Sequence, residues 1–599
     1  MPIVSVLPHS LYELMGVEPM DDESLRTLLL QYGLELDDVT EDEEEDENGN
    51  KTKVKHYKID VPANRPDLLS VESIAMALKV FRGGEHPNYT IVPPKLEITI
   101  EDSVDSVRGI IVCAVLRNIK FTQENYKSFI DLQDKLHHNL CRRRLFASIG
   151  THDLNLCKPP FRYLAEKPED IKFVPLNGIP NKELVEVDGR QLFKNIEEAH
   201  HTLAAYTPLL EEKVKNGDKE ETVLKPLFPV VRDSEGVMSL PPIINSDRTK
   251  ITLDTKDVFI ECTALDQTRA MIAVVCLCSA FSLYTATPFT IEQVNVIKNG
   301  KTVATPNFDT IDFNVDLEYI KTITSIQDLT VDQVHNLLEK MMLQVSPSSD
   351  GRHFKVTVPA IRSDILHPCD IAEDVAISFG YNNVFKQNKK IIPSGVPLVR
   401  SEYIDRLSKE VAACRYIGIC PFSLCSKADC FDKLLLPETP HIEIMNSKTQ
   451  QFEMPRTMLL PCLLTTSHYI FNQPKSRGVL PLRLYLIDDV VLLDEKAENK
   501  TRNEHHFAAM IADTKSCFDK IHKLLDRFFV LNACNAADVK LVPQDVPTCI
   551  KGQRAAVNYK GNEIGWIGVI HPQVLINFGL TTPVVAFEIC IDSFIEKHH

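Results

Sequence analysis

The spacing of apolar residues changes several times along the chain, and each change predicts an element. Near the start, short helices are expected at about 9–16 and 22–32, the second ended by Gly33, a residue suited to a left-handed helix end. "HYKIDVPANRPDLLSVESIAMALKVFRGG" (56–84) reads as a strand, a Pro-rich turn and a helix. Leu69, Ile74, Ala77, Leu78 and Phe81 form the apolar face of that helix, and Gly83 stops it. From about 90 to 285, helices mix with runs read as β-rich, such as "DVFIECTALD" (257–266) and "MIAVVCLCSAFSLY" (271–284). Near 286 the pattern changes. "VNVIKNGKTVAT" predicts a hairpin with Asn299-Gly300 as a type I′ turn. "TVDQVHNLLEKMML" has a capping box, Thr330 with Gln333, ahead of apolar positions at helical spacing. The strand "HFKVTVPAIRSD" runs directly into an acidic stretch. The Pro-containing linker "KKIIPSGVPLVR" (389–400) then opens a last segment with strands such as "LRLYLIDDVVLLD" and "WIGVIHP".

Length turns these elements into domains. A chain of 599 residues, at roughly 150 per domain, should hold about four. Its 44% hydrophobic and 25% charged residues suit an ordinary globular protein. No apolar run approaches the roughly 20 residues of a membrane span, and "MPIVSVLPHSLYELMG" lacks the basic start and apolar core of a signal peptide. Sixteen cysteines without a CxxC pair fit free thiols in a reducing cytosol. Cys414, Cys420, Cys425 and Cys430 are spaced too loosely for a tetrahedral zinc site and are expected to be buried thiols.

The formal net charge of -17 excludes nucleic-acid binding by bulk electrostatics, leaving local patches or a partner chain. Much of that charge lies in "DDVTEDEEEDENGN" (37–50), expected to be a solvated loop. The densest basic cluster is Arg142 to Arg144. Two motifs fail on inspection. Gly300-Lys301-Thr302 lacks the P-loop glycine five residues earlier, where Asn295 stands. Glu504-His505-His506 is not HExxH, so those histidines are expected to serve surface or packing.

One stretch remains, "RSDILHPCDIAEDVAISFGYNN" (362–383). Pro368 suits the first turn of a helix, and acids there gain roughly 0.3–1 kcal/mol each from the helix dipole. That accounts for one or two acids. Asp370, Glu373 and Asp374 fall at i, i+3 and i+4, and Asp364 approaches from the preceding strand. Hard oxygen donors without histidine or thiol suit Mg²⁺, which keeps several waters. From spacing alone, a metal site and a solvated charge cluster both stand.

The same run resembles the magnesium-binding domain of the phenylalanyl-tRNA synthetase β subunit, in which an Arg-x-Asp strand end and an Asp-x-x-Glu-Asp helix hold the ion. Further stretches resemble that family in its own order, archaeal and eukaryotic cytosolic type. They are "DVPANRPDLLSVESIAMALK" for the N-terminal domain, "FASIGTHDL…IKFVPLNG" and "LPPIINSDRTKI…DVFIECTALD" for the editing domain, and "MPRTMLLPCLL", "LYLIDDVVL" and "GWIGVIHPQVLINFGL" for the catalytic-like domain. The resemblance covers nearly the whole chain. It implies an α+β multidomain protein: an N-terminal domain with the acidic loop (1–89), an editing domain (90–285), a small magnesium-binding domain (286–390) and a degenerate class II synthetase-like antiparallel sheet with helices (395–599).

It also implies roles. Asp364, Asp370, Glu373 and Asp374 would share one Mg²⁺. Glu261 and Thr263 would act in the editing pocket, with Ser239 and Asn245 nearby; Glu261 stands where archaeal members carry Asp. Without the resemblance, Glu261 and Thr263 read as outward residues of a half-buried strand. The nucleotide-clamping motifs of a class II enzyme, one resembling FRxE and one Gly-rich ending in Arg, are not legible in 395–599, where Arg483 lacks the acid. The implied protein is therefore the non-catalytic subunit of a cytoplasmic (αβ)₂ phenylalanine–tRNA ligase. Its α partner would use ATP and phenylalanine to charge tRNA(Phe), and no membrane would be involved. Two rivals remain: a synthetase-derived scaffold that binds RNA or protein without charging, and a free-standing Mg²⁺-dependent hydrolase.

Overall fold

The computed structural model describes residues 2–45, 51–178, 182, 184–199, 201–216, 219–347, 352–384, 395, 398–473 and 480–595. The chain divides into two compact units, Met1–Asn388 and Lys389–His599. Most of the linker 389–400 lies outside the described residues.

The first unit opens with a three-stranded antiparallel sheet in which Lys51–Asp60 lies between Ile3–Val6 and Glu35–Glu45. The acidic stretch expected to be a loop is thus strand as far as Glu45. The register sets this acid-rich strand against a lysine-rich partner; Lys53 reaches Glu41 at 3.9 Å with both side chains still largely exposed, and residues 46–50 lie outside the described residues. Helices Pro8–Met15, Asp22–Tyr32 and Val71–Phe81 form as expected. Gly33, at φ 93°, takes the left-handed conformation that ends the second of them.

A ten-stranded mixed sheet follows. Strand Val258–Ala264 lies next to one end of the strand order, antiparallel to both Ile110–Leu116 and the terminal Ala147–Asp153. Alternation divides this strand between two faces. Val258, Ile260, Cys262 and Ala264 enter one apolar core, while Phe259 enters the core of the opposite face. The run 271–284, read from sequence as β-rich, is instead part of helix Gln267–Phe281, capped by Asp266 through the Arg269 amide. It shares its core with helices Val71–Phe81 and Gln123–His138 and with the sheet, and Ala273 to Phe281 are all buried. A helix buried on every side loses its 3.6-residue period, and Val274 and Val275 then imitate a strand. Its window Gln267–Tyr284 is long and apolar enough to cross a membrane, but 61% of it is buried inside the protein.

The hairpin at Asn299-Gly300 forms, with φ 50° and 74° at the two turn residues. Its first strand, Thr290–Lys298, pairs in parallel with Thr90–Ile100, so the large sheet continues past 285 to Thr305. A small antiparallel sheet then sets His353–Val358 between Ile311–Asp316 and Gln344–Pro347. Helix Val331–Glu339 carries the expected capping box, and Pro368 begins helix Pro368–Phe379.

The second unit is a seven-stranded sheet, antiparallel except where Ile417–Gly418 runs parallel to Leu482–Leu493. Helices Val399–Ala413 and Phe518–Leu531 pack on one face. Helices Leu460–Asn472 and Pro572–Asn577 pack on the other. Of its four loosely spaced cysteines, only Cys425 and Cys430 are buried; Cys414 is half-buried and Cys420 exposed.

Candidate functional site

A cavity of about 200 Å³ opens in the ten-stranded sheet, lined among others by Gln133, Arg144, Ser148, Asn245 and Glu261. Glu261 and Thr263 are not outward residues of a half-buried strand: they are 1% and 0% exposed. A carboxylate so deeply buried should have every oxygen satisfied. Glu261 is only half satisfied. Ser239 Oγ donates to its Oε1 at 2.8 Å, while Oε2 has no protein partner. Strand register explains how the two meet, since Ser239 pairs with Asn245 and Glu261 lies opposite Gly150. Asn245 reaches the same space and donates through Nδ2 to the Thr151 carbonyl at 3.3 Å.

Glycine at 150 is a requirement of this geometry. A Cβ there would lie 2.3 Å from Glu261 Oε1 and 3.2 Å from Asn245 Oδ1. Thr263 faces the same side of the strand but does not line the cavity, and its Oγ1 accepts from Arg108 Nε at 3.2 Å. Ser239, too, lies behind the cavity wall, holding Glu261.

Three residues of the site escaped sequence reasoning. His152, fully buried, shares its Nδ1 with Thr249 Oγ1 at 2.8 Å, and its unpartnered Nε2 lies 4.0 Å from Glu261 Oε1. Gln133 carries no motif. Arg144 was visible only as part of a basic cluster. Arg142, Arg143 and Arg144 all take left-handed φ, 45°, 51° and 64°. The Arg144 guanidinium stacks 4.4 Å from the Tyr206 ring centroid and donates through Nη1 to the Ile243 carbonyl at 2.9 Å. Burial lowers the Arg144 pKa, yet the group remains a cation at neutral pH and places positive charge at the cavity.

The acidic stretch has another architecture. Arg362, fully buried, sits among the acids: Nε and Nη2 grip Asp364 at 2.9 and 2.7 Å, and Nη2 also reaches Asp374 at 2.8 Å. Arg65, itself held by Asp67 and by the Tyr32 hydroxyl, lies 3.9 Å from Asp364. Burial pushes against ionisation of Asp364, but Arg362 outweighs it and holds the carboxyl below its ordinary range. Burial lifts Asp374 to about 6, with Arg362 pulling the other way. Asp370 caps the helix instead, its Oδ2 accepting the Leu366 and His367 amides, both at 2.8 Å. Glu373 is exposed.

The four acids therefore do not converge as one ligand set. Among the described residues, the one group of three or more His, Cys, Asp or Glu with ligand atoms all within 4.8 Å lies elsewhere, in the second unit. A buried guanidinium stands where an ion shared by Asp364 and Asp374 would stand. These residues do not fit a Mg²⁺ held by all four.

Four family models match the chain in order. They are the Phe-tRNA synthetase beta subunit B1 domain over 1–84, the B3/4 domain over 114–275, the tRNA synthetase B5 domain over 313–381 and the phenylalanyl tRNA synthetase beta chain CLM domain over 392–591. The cavity lies within the second match and the acidic stretch in the third. Among curated relatives, the phenylalanine–tRNA ligase beta subunits of Drosophila melanogaster and Homo sapiens are each 36% identical, covering 99% of this chain and 100% of the relative. The beta subunit of Arabidopsis thaliana named cytoplasmic matches equally well, at 36% over the same shares. Among solved structures, an N-terminal fragment of the phenylalanyl-tRNA synthetase beta subunit of Pyrococcus horikoshii aligns with TM-score 0.54 and 31% identity. It covers 63% of this chain and 100% of the fragment.

Proposed function

The chain belongs to the phenylalanine–tRNA ligase β-subunit family, and from that premise we propose that its own chemistry is hydrolysis of tyrosine wrongly joined to tRNA(Phe). It would serve, without a synthetic active site of its own, in a cytosolic (αβ)₂ ligase. The α subunit would then bind ATP and phenylalanine and charge the tRNA. The seven-stranded sheet supports this division, because its segment carries neither nucleotide-clamping motif.

Discrimination at the synthetic site supplies the need for hydrolysis. Tyrosine is phenylalanine plus one hydroxyl, and an apolar pocket rejects such an addition weakly. A second pocket that demands the hydroxyl separates the two far better, because its buried polar group is left unpaired by the wrong ligand. The carrying observation is Glu261 Oε2, buried and without a protein partner at a cavity lined by Asn245 and Arg144. The tyrosine hydroxyl would donate to that oxygen. Ser239 fixes the carboxylate, and Thr263, engaged with Arg108, supports the strand from behind. The ester is already activated, so holding it beside a positioned water suffices without a covalent nucleophile. Replacing Glu261 with Ala in the assembled ligase should leave phenylalanine charging near normal while Tyr-tRNA(Phe) accumulates. No accumulation would sink the assignment.

For Mg²⁺ we propose a smaller ligand set than the motif implies. Asp370 and Glu373, which make no ion pair among the described residues, would hold the ion with waters. Asp364 and Asp374 belong to Arg362.

A further inference from the structure

The Glu504-His505-His506 run, which matches no zinc-protease pattern, lies in strand Thr501–Ala512 of the second unit. Alternation sends Glu504 and His506 to one face, and cross-strand register sets Cys590 directly opposite His506. One ligand atom from each of Glu504, His506 and Cys590 falls within 4.8 Å of the other two. We propose that these three side chains bind a zinc ion, or a borderline divalent cation of similar preference, with a fourth position left to water.

The donor chemistry is the first argument. A thiolate, an imidazole and a carboxylate are the ligand types zinc takes, and three protein ligands with one open position is a recurrent arrangement. Separation is the second. Ligands about 2.0 Å from a tetrahedral ion lie roughly 3.3 Å apart. Glu504 Oε2 and His506 Nε2 are 3.3 Å apart. The third is the support around the ligands. Glu504 gives its other oxygen, Oε1, to Arg502, at 2.9 and 2.7 Å, which turns Oε2 toward the histidine. His506 Nδ1 is held by Glu588 Oε1 at 2.7 Å. That contact fixes the ring with Nε2 facing Glu504 Oε2, whose present contact the ion would replace, in the carboxylate–histidine–metal relay typical of zinc sites. Glu588 is anchored in turn: its two oxygens accept the Leu459 and Leu460 amides, at 2.8 and 3.1 Å. His505, on the opposite face, is taken up by Asp489 and Asp592, both at 2.8 Å, and plays no part. The side chains of Glu504 and His506 are 24% and 16% exposed, and Cys590 is half-buried, so an ion can enter.

The test uses the full chain, stripped with a chelator and titrated with Zn²⁺ and, separately, Co²⁺. One ion per chain should bind, and Co²⁺ should develop the intense thiolate-to-metal charge-transfer absorption of a tetrahedral cysteine site. In Cys590→Ser that band should vanish. In Glu588→Gln the band should persist while affinity falls on the order of 10- to 100-fold, as for a lost support to a metal-bound histidine. A measurement on the unmodified chain guards against a variant that fails to fold: Zn²⁺ should slow iodoacetamide labelling of Cys590, located by mass spectrometry. A parent chain with no charge-transfer band, a band retained in Cys590→Ser, or Cys590 labelling unaffected by saturating Zn²⁺ would each overturn the proposal.

Discussion

At Gly150 a side chain is excluded by the carboxylate it faces. The Cβ of an alanine would lie 2.3 Å from Glu261 Oε1 and 2.9 Å from its Cδ, so Glu261 would have to leave its bond with Ser239. Overpacking of this kind costs about 1–3 kcal/mol. Gly150→Ala should therefore lower thermal stability modestly and suppress Tyr-tRNA cleavage strongly, read by a melting curve and a deacylation assay on one preparation. Full cleavage activity in that variant would mean that Glu261 is not where the tyrosine hydroxyl is received. Sequence alone could not have named Gly150, because its role depends on a strand more than a hundred residues away. It named Glu261 through the family's strand motif, and the alternation of that strand was visible. Its burial was not, since a strand covered on both faces and a half-buried one can show the same alternation. His152 and Gln133 left no local signal at all.

Elements defined by local chemistry were legible: the capping box at Thr330, the left-handed Gly33 and the Asn299-Gly300 turn all carry their cause within a few residues. Elements defined by burial were not. Helix Gln267–Phe281 imitates a strand because from Ala273 to Phe281 every side of it is buried. The acidic helix start shows the same division. Pro368 at the helix start follows from sequence, whereas the Asp370 cap and the place of Arg362 between Asp364 and Asp374 require the fold. This has a measurable consequence. Removing one partner of a buried ion pair costs about 3–5 kcal/mol, because the charges left behind stay unpaired. Arg362→Met should thus destabilise the chain by about that much in denaturant unfolding. Asp370→Asn with Glu373→Gln should lower Mg²⁺ retention with a far smaller loss of stability. Equal Mg²⁺ retention in parent and double variant would show that these acids only begin a helix.

For the whole molecule, the question is which chemistry the chain performs without a partner. Domain order was readable because stretches in four regions resemble one family in sequence, and family models match in that same order. Where the large sheet ends was less readable, since Thr290–Lys298 pairs in parallel with Thr90–Ile100 across nearly two hundred residues of chain. The seven-stranded sheet lacks the motifs that clamp ATP, so the chain alone should give no phenylalanine-dependent ATP–pyrophosphate exchange. Co-expression with its α subunit should restore exchange and tRNA(Phe) charging together. Robust exchange by the isolated chain would place a synthetic site here after all.

The most direct measurement is the first-order deacylation of preformed Tyr-tRNA(Phe) by the assembled ligase, with Phe-tRNA(Phe) in parallel. Glu261 Oε2 is buried and has no protein partner, and on the proposed reading it receives the tyrosine hydroxyl. A lost hydrogen bond to a charged group is worth about 1.5–3 kcal/mol, which corresponds to roughly 10- to 150-fold in rate. The parent should cleave Tyr-tRNA and spare Phe-tRNA, and Glu261→Gln should slow the first reaction by about that factor while leaving the second unchanged. Equal Tyr-tRNA cleavage by parent and Glu261→Gln would contradict the account.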